Sequence, residues 1–140
     1  MSGCTIYFRE DDAIVVSQGI SVSGFGLSVK PFLKMSLPVA PRVIGALVVL
    51  ALESQREGGP DNLEEGEELL RFARARSWKA LEVGSRLVGI GERNSVVTVR
   101  PHERRERGGG FLAPGDLAGQ CPLNADEVGQ LVLEKAEECR

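Results

Sequence analysis

Residues Val43 to Leu52 form a run of ten apolar residues, and the places where such a run can go constrain the fold around it. It contains Gly45 and is about half the ~20 residues a membrane span needs, so it belongs in a protein core. Pro38 and Pro41 bracket its start, and proline is tolerated in a first helical turn because its ring pre-sets the backbone angle there. Val43, Ile44, Leu47, Val48, Leu50 and Leu52 then lie almost all round a helix, which predicts burial on most sides with Glu53 to Glu57 at its solvated end. A helix of this kind needs other layers to cover it.

Those layers are legible on either side. Thr5 to Phe8 and Ala13 to Ser17 are β-branched and aromatic runs around the turn cluster Arg9, Glu10, Asp11, Asp12, a first hairpin. Gly19 to Val29 alternates weakly, with glycines that permit bulges, and reads as an irregular strand or structured loop. Arg86 to Glu92 and Ser95 to Arg100, joined at Arg93 and Asn94, form the clearest hairpin, with Val96, Val97 and Val99 supplying β-branched side chains. Asn62 can cap a second helix from Leu63 to about Arg76, with Leu69, Leu70, Phe72 and Ala73 inward. Its acids lead and its arginines follow, as the helix dipole favours. Asn124 caps a last helix, with Glu127 in capping-box position and Leu123 placed as a staple. The expected fold is a single α+β domain over residues 1–140, a mostly antiparallel sheet packed against about three helices. Residues 101–110 are basic and glycine-rich, and predict a flexible exposed loop.

Charge is distributed unevenly. Residues 51 to 70 carry seven acids against Arg56, and residues 71 to 107 carry ten bases against four acids, blocks of −6 and +6 within a net charge of −3. Cys4, Cys121 and Cys139 are odd in number and widely spaced, which suits free thiols in a reducing compartment. Met1 to Phe8 lacks the basic start and apolar core of an export signal, so a cytoplasmic protein without membrane contact is expected.

Sites of chemistry find little support. His102 is the only histidine and falls in the basic loop, away from the rigid positioning that a nucleophile's base needs. With the three cysteines it offers no two ligands at metal-knuckle spacing. Gly24 and Gly26 lack a third dinucleotide glycine, and Gly84 to Gly91 lacks a phosphate-loop ending, so no metal or cofactor is expected. Aromatic residues make up 5% of the chain and do not interleave with the arginines of 100–107, which argues against direct nucleic-acid binding. The acidic block has two readings, a solvated helix connection or a nucleic-acid mimic that occupies a basic nuclease cleft. On the second, the contact residues are Asp11, Asp12, Glu53, Glu57, Asp61, Glu64, Glu65 and Glu68. Tyr7, Phe25, Phe32, Trp78 or Phe111 would serve as apolar anchors where exposed.

The order of these segments carries a resemblance. Ile14 to Ser17, the glycine-containing Ser23 to Ser28, a hydrophobic helix ending Ala51-Leu-Glu-Ser54 and Ser77-Trp-Lys79 come first. The hairpin closing on Pro101, Gly110-Phe111 and a last helix with a terminal cysteine follow. Together they resemble immunity proteins of bacterial contact-dependent growth inhibition systems. The resemblance implies a non-enzymatic cytoplasmic antidote, monomeric when free, that binds a toxin's C-terminal domain one to one. Such toxins are frequently nucleases, including ones that cut transfer RNA. It does not account for the arginine-rich 101–110 segment, and it transfers no interface by position. Two other readings stay open, a regulatory or scaffold domain and a small hydrolase using His102 or Cys121.

Overall fold

Pairing between distant strands sets the architecture. A computed structural model describes residues 2–21, 26–54, 57–59, 63–104, 111–112 and 117–139. In it β1 (Ser2–Phe8), β2 (Asp12–Ser21) and β3 (Gly26–Ser36) make an antiparallel meander. The short β4 (Glu57–Gly59) runs parallel to the far end of β2. The hairpin β5 (Arg86–Arg93) and β6 (Val96–Pro101) joins this meander through β1, and β9 (Gly119–Pro122) pairs with β6. The strand order is β3-β2-β1-β5-β6-β9, antiparallel along the whole path. With α1 (Pro41–Glu53), α2 (Leu63–Ala73), α3 (Trp78–Val83) and α4 (Ala125–Glu137), the fold is α+β.

Strand alternation sends the sheet's side chains to two cores. Ile6, Phe8, Val15, Val88, Ile90, Val97 and Val99 face α1 and α4, whose Ile44, Val48, Val128 and Val132 are fully buried against them. On the other face Tyr7, Ile14, Val16 and Leu87 meet Leu69 and Ala73 of α2 and Leu81 of α3. The molecule is therefore layered helix, sheet, helix.

Four differences from the sequence reading have local causes. β3 is a full strand although it contains Pro31: the register jumps from Val16↔Phe32 to Ser17↔Val29, and the proline falls in the resulting bulge, where no ladder donor is needed. The helix α3 is additional, started by Ser77, whose Oγ accepts from the Ala80 N–H at 3.1 Å. Residues Glu103–Arg104 (β7) pair with Phe111–Leu112 (β8), so both sides of the expected basic loop are strand, and 105–110 lie outside the described residues. Finally, α1 is not enclosed: Val43 and Leu50 remain 48% and 46% exposed, because α1 lies beside α4 on one sheet face and keeps a third side to solvent.

Local signals held elsewhere. The second hairpin forms, but its turn falls on Asn94 and Ser95, one residue later than expected, at φ 54° and 63°, the left-handed pair that a two-residue hairpin loop requires. Asn124 accepts from the Asp126 and Glu127 N–H groups at 3.0 and 3.3 Å. Its own N–H goes to the Pro122 carbonyl rather than back to Glu127, so the capping box is half made. The expected Asn62 cap lies outside the described residues.

Candidate protein-docking site

The structure does not gather the acids proposed from sequence into one patch. Asp11 is exposed in the β1–β2 turn and Asp12 opens β2. Glu57 lies in β4 beside Ile20 at the opposite end of β2, roughly 27 Å away at ~3.4 Å per strand residue. Glu53, exposed, closes α1 at that same end, since the buried Ser17 Oγ donates to the Ala51 carbonyl at 2.9 Å. The C-terminus of α2 is tied to the β1–β2 turn, so its first turns, bearing Glu64 and Glu65, point toward the Glu57 end. Glu68 is half-buried midway along α2. Asp61 and the side chains of Glu57, Glu64 and Glu65 lie outside the described ones.

Asp12 has structural work. Both its oxygens accept from the Arg9 guanidinium, at 2.7 Å each, and Arg9 also donates to the Ala73 carbonyl at the end of α2. Lys34 donates to the neighbouring Phe72 carbonyl at 3.0 Å and sits 5.0 Å over the Phe72 ring. Two cations thus cap the negative end of the helix dipole. The chain then leaves α2 through Arg74 at φ 57°, with Ala75 N–H on Leu70 O and Arg74 N–H on Arg71 O, an exit that glycine usually makes.

The bidentate bond from Arg9 holds the Asp12 carboxyl below its ordinary pKa. A carboxyl depressed in the folded state stabilises above its unfolded pKa and loses that contribution as pH falls through the folded one. Asp12→Asn is therefore expected to cost about 1 kcal/mol at neutral pH. The gap to the parent should close once pH drops below about 4 and on through the lower folded value. Urea melts of both proteins at neutral and acidic pH would show it, and an unchanged gap at low pH would remove the clamp from the account.

Register assembles a second surface that a linear reading misses. On the sheet face shared with α2 and α3, one row runs Gln18, Gly3, Gly91, Thr98, Gln120 across β2, β1, β5, β6 and β9. Thr5, Gly89 and Arg100 follow in the next row. Gln18 donates to Thr5 Oγ1 at 2.7 Å and Gln120 to Thr98 Oγ1 at 3.3 Å. The row is polar, floored by glycine and open at Gln18 and Gln120, a surface suited to hydrogen-bonded contact with a protein. Its one signal in the sequence is glycine at alternate positions 89 and 91 of a strand.

The residues of the hydrolase reading are kept apart. Cys121 faces Val97 in the β6–β9 register, whereas His102 follows the other end of β6, roughly 17 Å away along the strand. Burial pushes the Cys121 thiol up and the His102 imidazole down, and the His102 Nδ1 lies 3.1 Å from the Arg100 carbonyl. Cys139 donates its thiol to the Leu87 carbonyl at 3.3 Å, and burial raises Cys4 to about 12. All three are free thiols held up by burial, which at Cys139 outweighs the opposing pull of the His102 N–H and Arg86, so none is activated. No cluster of metal-ligating side chains occurs among the described residues, and no helix among them is long and apolar enough to cross a membrane. Of the expected anchors Tyr7 is core, Phe32 packs in the second cluster, and Trp78 is 42% exposed. Phe25 and the Phe111 side chain lie outside the described ones.

No protein-family profile and no curated protein sequence matches the chain. Solved structures do share its fold. A protein of unknown function from Neisseria meningitidis superposes with a TM-score of 0.79 at 16% identity, over 99% of this chain and 95% of that one. A chain of the CdiA-CT/CdiI toxin and immunity complex from Yersinia pseudotuberculosis gives 0.76 at 14% identity, over 99% and 97%. The likeness runs end to end and establishes a shared fold.

Proposed function

We propose that the chain is a cytoplasmic immunity protein that binds a toxin domain of a contact-dependent growth inhibition system and neutralises it one to one. The observation that carries this reading is the full-length likeness, at a TM-score of 0.76, to a chain taken from a toxin and immunity complex. The separation of Cys121 from His102 speaks for binding rather than catalysis. The toxin is proposed to be a nuclease, of transfer RNA or another nucleic acid. Its basic cleft would meet the acids of residues 53–68, Glu53, Glu57, Asp61, Glu64, Glu65 and Glu68. Asp11 and Asp12 would make a separate contact.

The test is co-purification with the toxin domain encoded beside it, with cleavage of nucleic acid measured in the complex. A stoichiometric complex with cleavage abolished is expected. Reversing Glu64, Glu65 and Glu68 to lysine should weaken it about tenfold, chiefly in association rate and more at low salt, with the melting curve monitored alongside. Failure to bind that domain overturns the reading and leaves the scaffold alternative.

A further inference from the structure

The two helices on the larger core differ in what they turn outward. The exposed positions of α4 are Asp126, Glu127, Gln130, Glu134 and Glu137, all polar. Those of α1 are Pro41, Arg42, Val43, Ala46, Leu50 and Glu53, with no charge between Arg42 and Glu53. Spacings of three, four and three residues put Val43, Ala46, Leu50 and Glu53 on one stripe, and Arg42 lies on the same arc. An uncharged helix face beside a charged one calls for a cover.

We propose that α1 is a homodimerisation face on which a second copy of this chain packs antiparallel about a two-fold axis. The stripe is complementary to itself. With the axis crossing the exposed face midway between Ala46 and Leu50, Ala46 of each copy stands opposite Leu50 of the other, a small residue receiving a large one. The same axis brings Arg42 toward Glu53 of the second copy at both ends. Arg42 already holds Asp126 of α4 through Nε at 2.9 Å and Nη2 at 3.5 Å, and its Nη1 can reach a second carboxylate. A parallel arrangement would instead set Arg42 against Arg42 and Glu53 against Glu53. A single helix face lies at the small end of stable interfaces, below ~1,200 Å², so the dimer dissociates on dilution. The free chain, a monomer on its sequence, is then a monomer only when dilute.

Sedimentation equilibrium of the full chain without toxin, from low to high micromolar concentration, tests this and does not depend on the immunity reading. The average mass should climb from 15.1 kDa toward twice that value. Leu50→Lys and Ala46→Glu, both at exposed positions, should each weaken association at least about tenfold without moving the thermal melt. Glu53→Arg should weaken it, and Arg42→Glu with Glu53→Arg should restore it. A monomer at every concentration overturns the proposal, and so does a dimer that these variants leave unchanged. A Leu50→Lys protein that loses only toxin binding also overturns it, since the stripe would then belong to the toxin.

Discussion

Gly45→Ala should unfold this protein about 10 °C below the parent, although alanine is the better helix former. A methyl group on Gly45 would fall inside the contact distance of the Ala125 carbonyl oxygen, 2.7 Å from its carbon and 3.0 Å from the Gly129 nitrogen. The crossing is reciprocal: a methyl on Gly129 would sit 2.5 Å from the Pro41 carbonyl carbon. Both obstacles are backbone, so no side chain can rotate aside and the helices must separate, opening the core around Ile44 and Val128. Such over-packing typically costs 1–3 kcal/mol and more where only backbone can give way, here about 4 kcal/mol, against a gain of at most ~1 kcal/mol from replacing glycine within a helix. The clash wins by about 3 kcal/mol, which for a chain of this size is about 10 °C. Gly84→Ala is the control, since its methyl would meet nothing nearer than the Ala80 oxygen at 3.4 Å. Circular dichroism melts that coincide for the two variants would refute the close crossing.

The same contact shows what a linear reading reaches. The two hairpins were legible because Ile6 and Phe8, or Val97 and Val99, alternate with residues of the other face, and α4 because Asn124 and Glu127 mark its start. Those signals lie within a few residues. The glycines of 19–29 blurred β3, and only the paired strand shows that its bulge also takes in Pro31. The exposure of Val43 and Leu50 was equally hidden, since apolar composition says that α1 is core but not that α4 occupies one of its flanks. Charge counting likewise found the acids and missed that β2 separates Asp12 from Glu57 by its own length. The polar row through Gly91 and Thr98 exists only once five strands are in register.

Leu69→Ala should cost about 3 kcal/mol, the usual penalty when a buried leucine is truncated, and should loosen one layer before the other. Leu69 is wholly buried and, with Ala73, is what α2 sinks into the smaller core; Leu70 is half-buried and Phe72 is 36% exposed. Beyond those contacts α2 is held at its C-terminus by Arg9 and Lys34 on the carbonyls of Ala73 and Phe72, bonds that fix an end but bury little apolar area. The α1–α4 layer shares no side chain with that core, so amide exchange should accelerate across 63–83 while 41–53 stays protected. Phe72→Ala, at a position already open to water, should cost about 1 kcal/mol. If the acids of α2 dock the toxin, Leu69→Ala should also weaken that complex, because binding would first have to re-order the helix. Equal acceleration of both regions would mean that the two cores unfold as one unit, and the smaller core could then not be tuned apart from the larger.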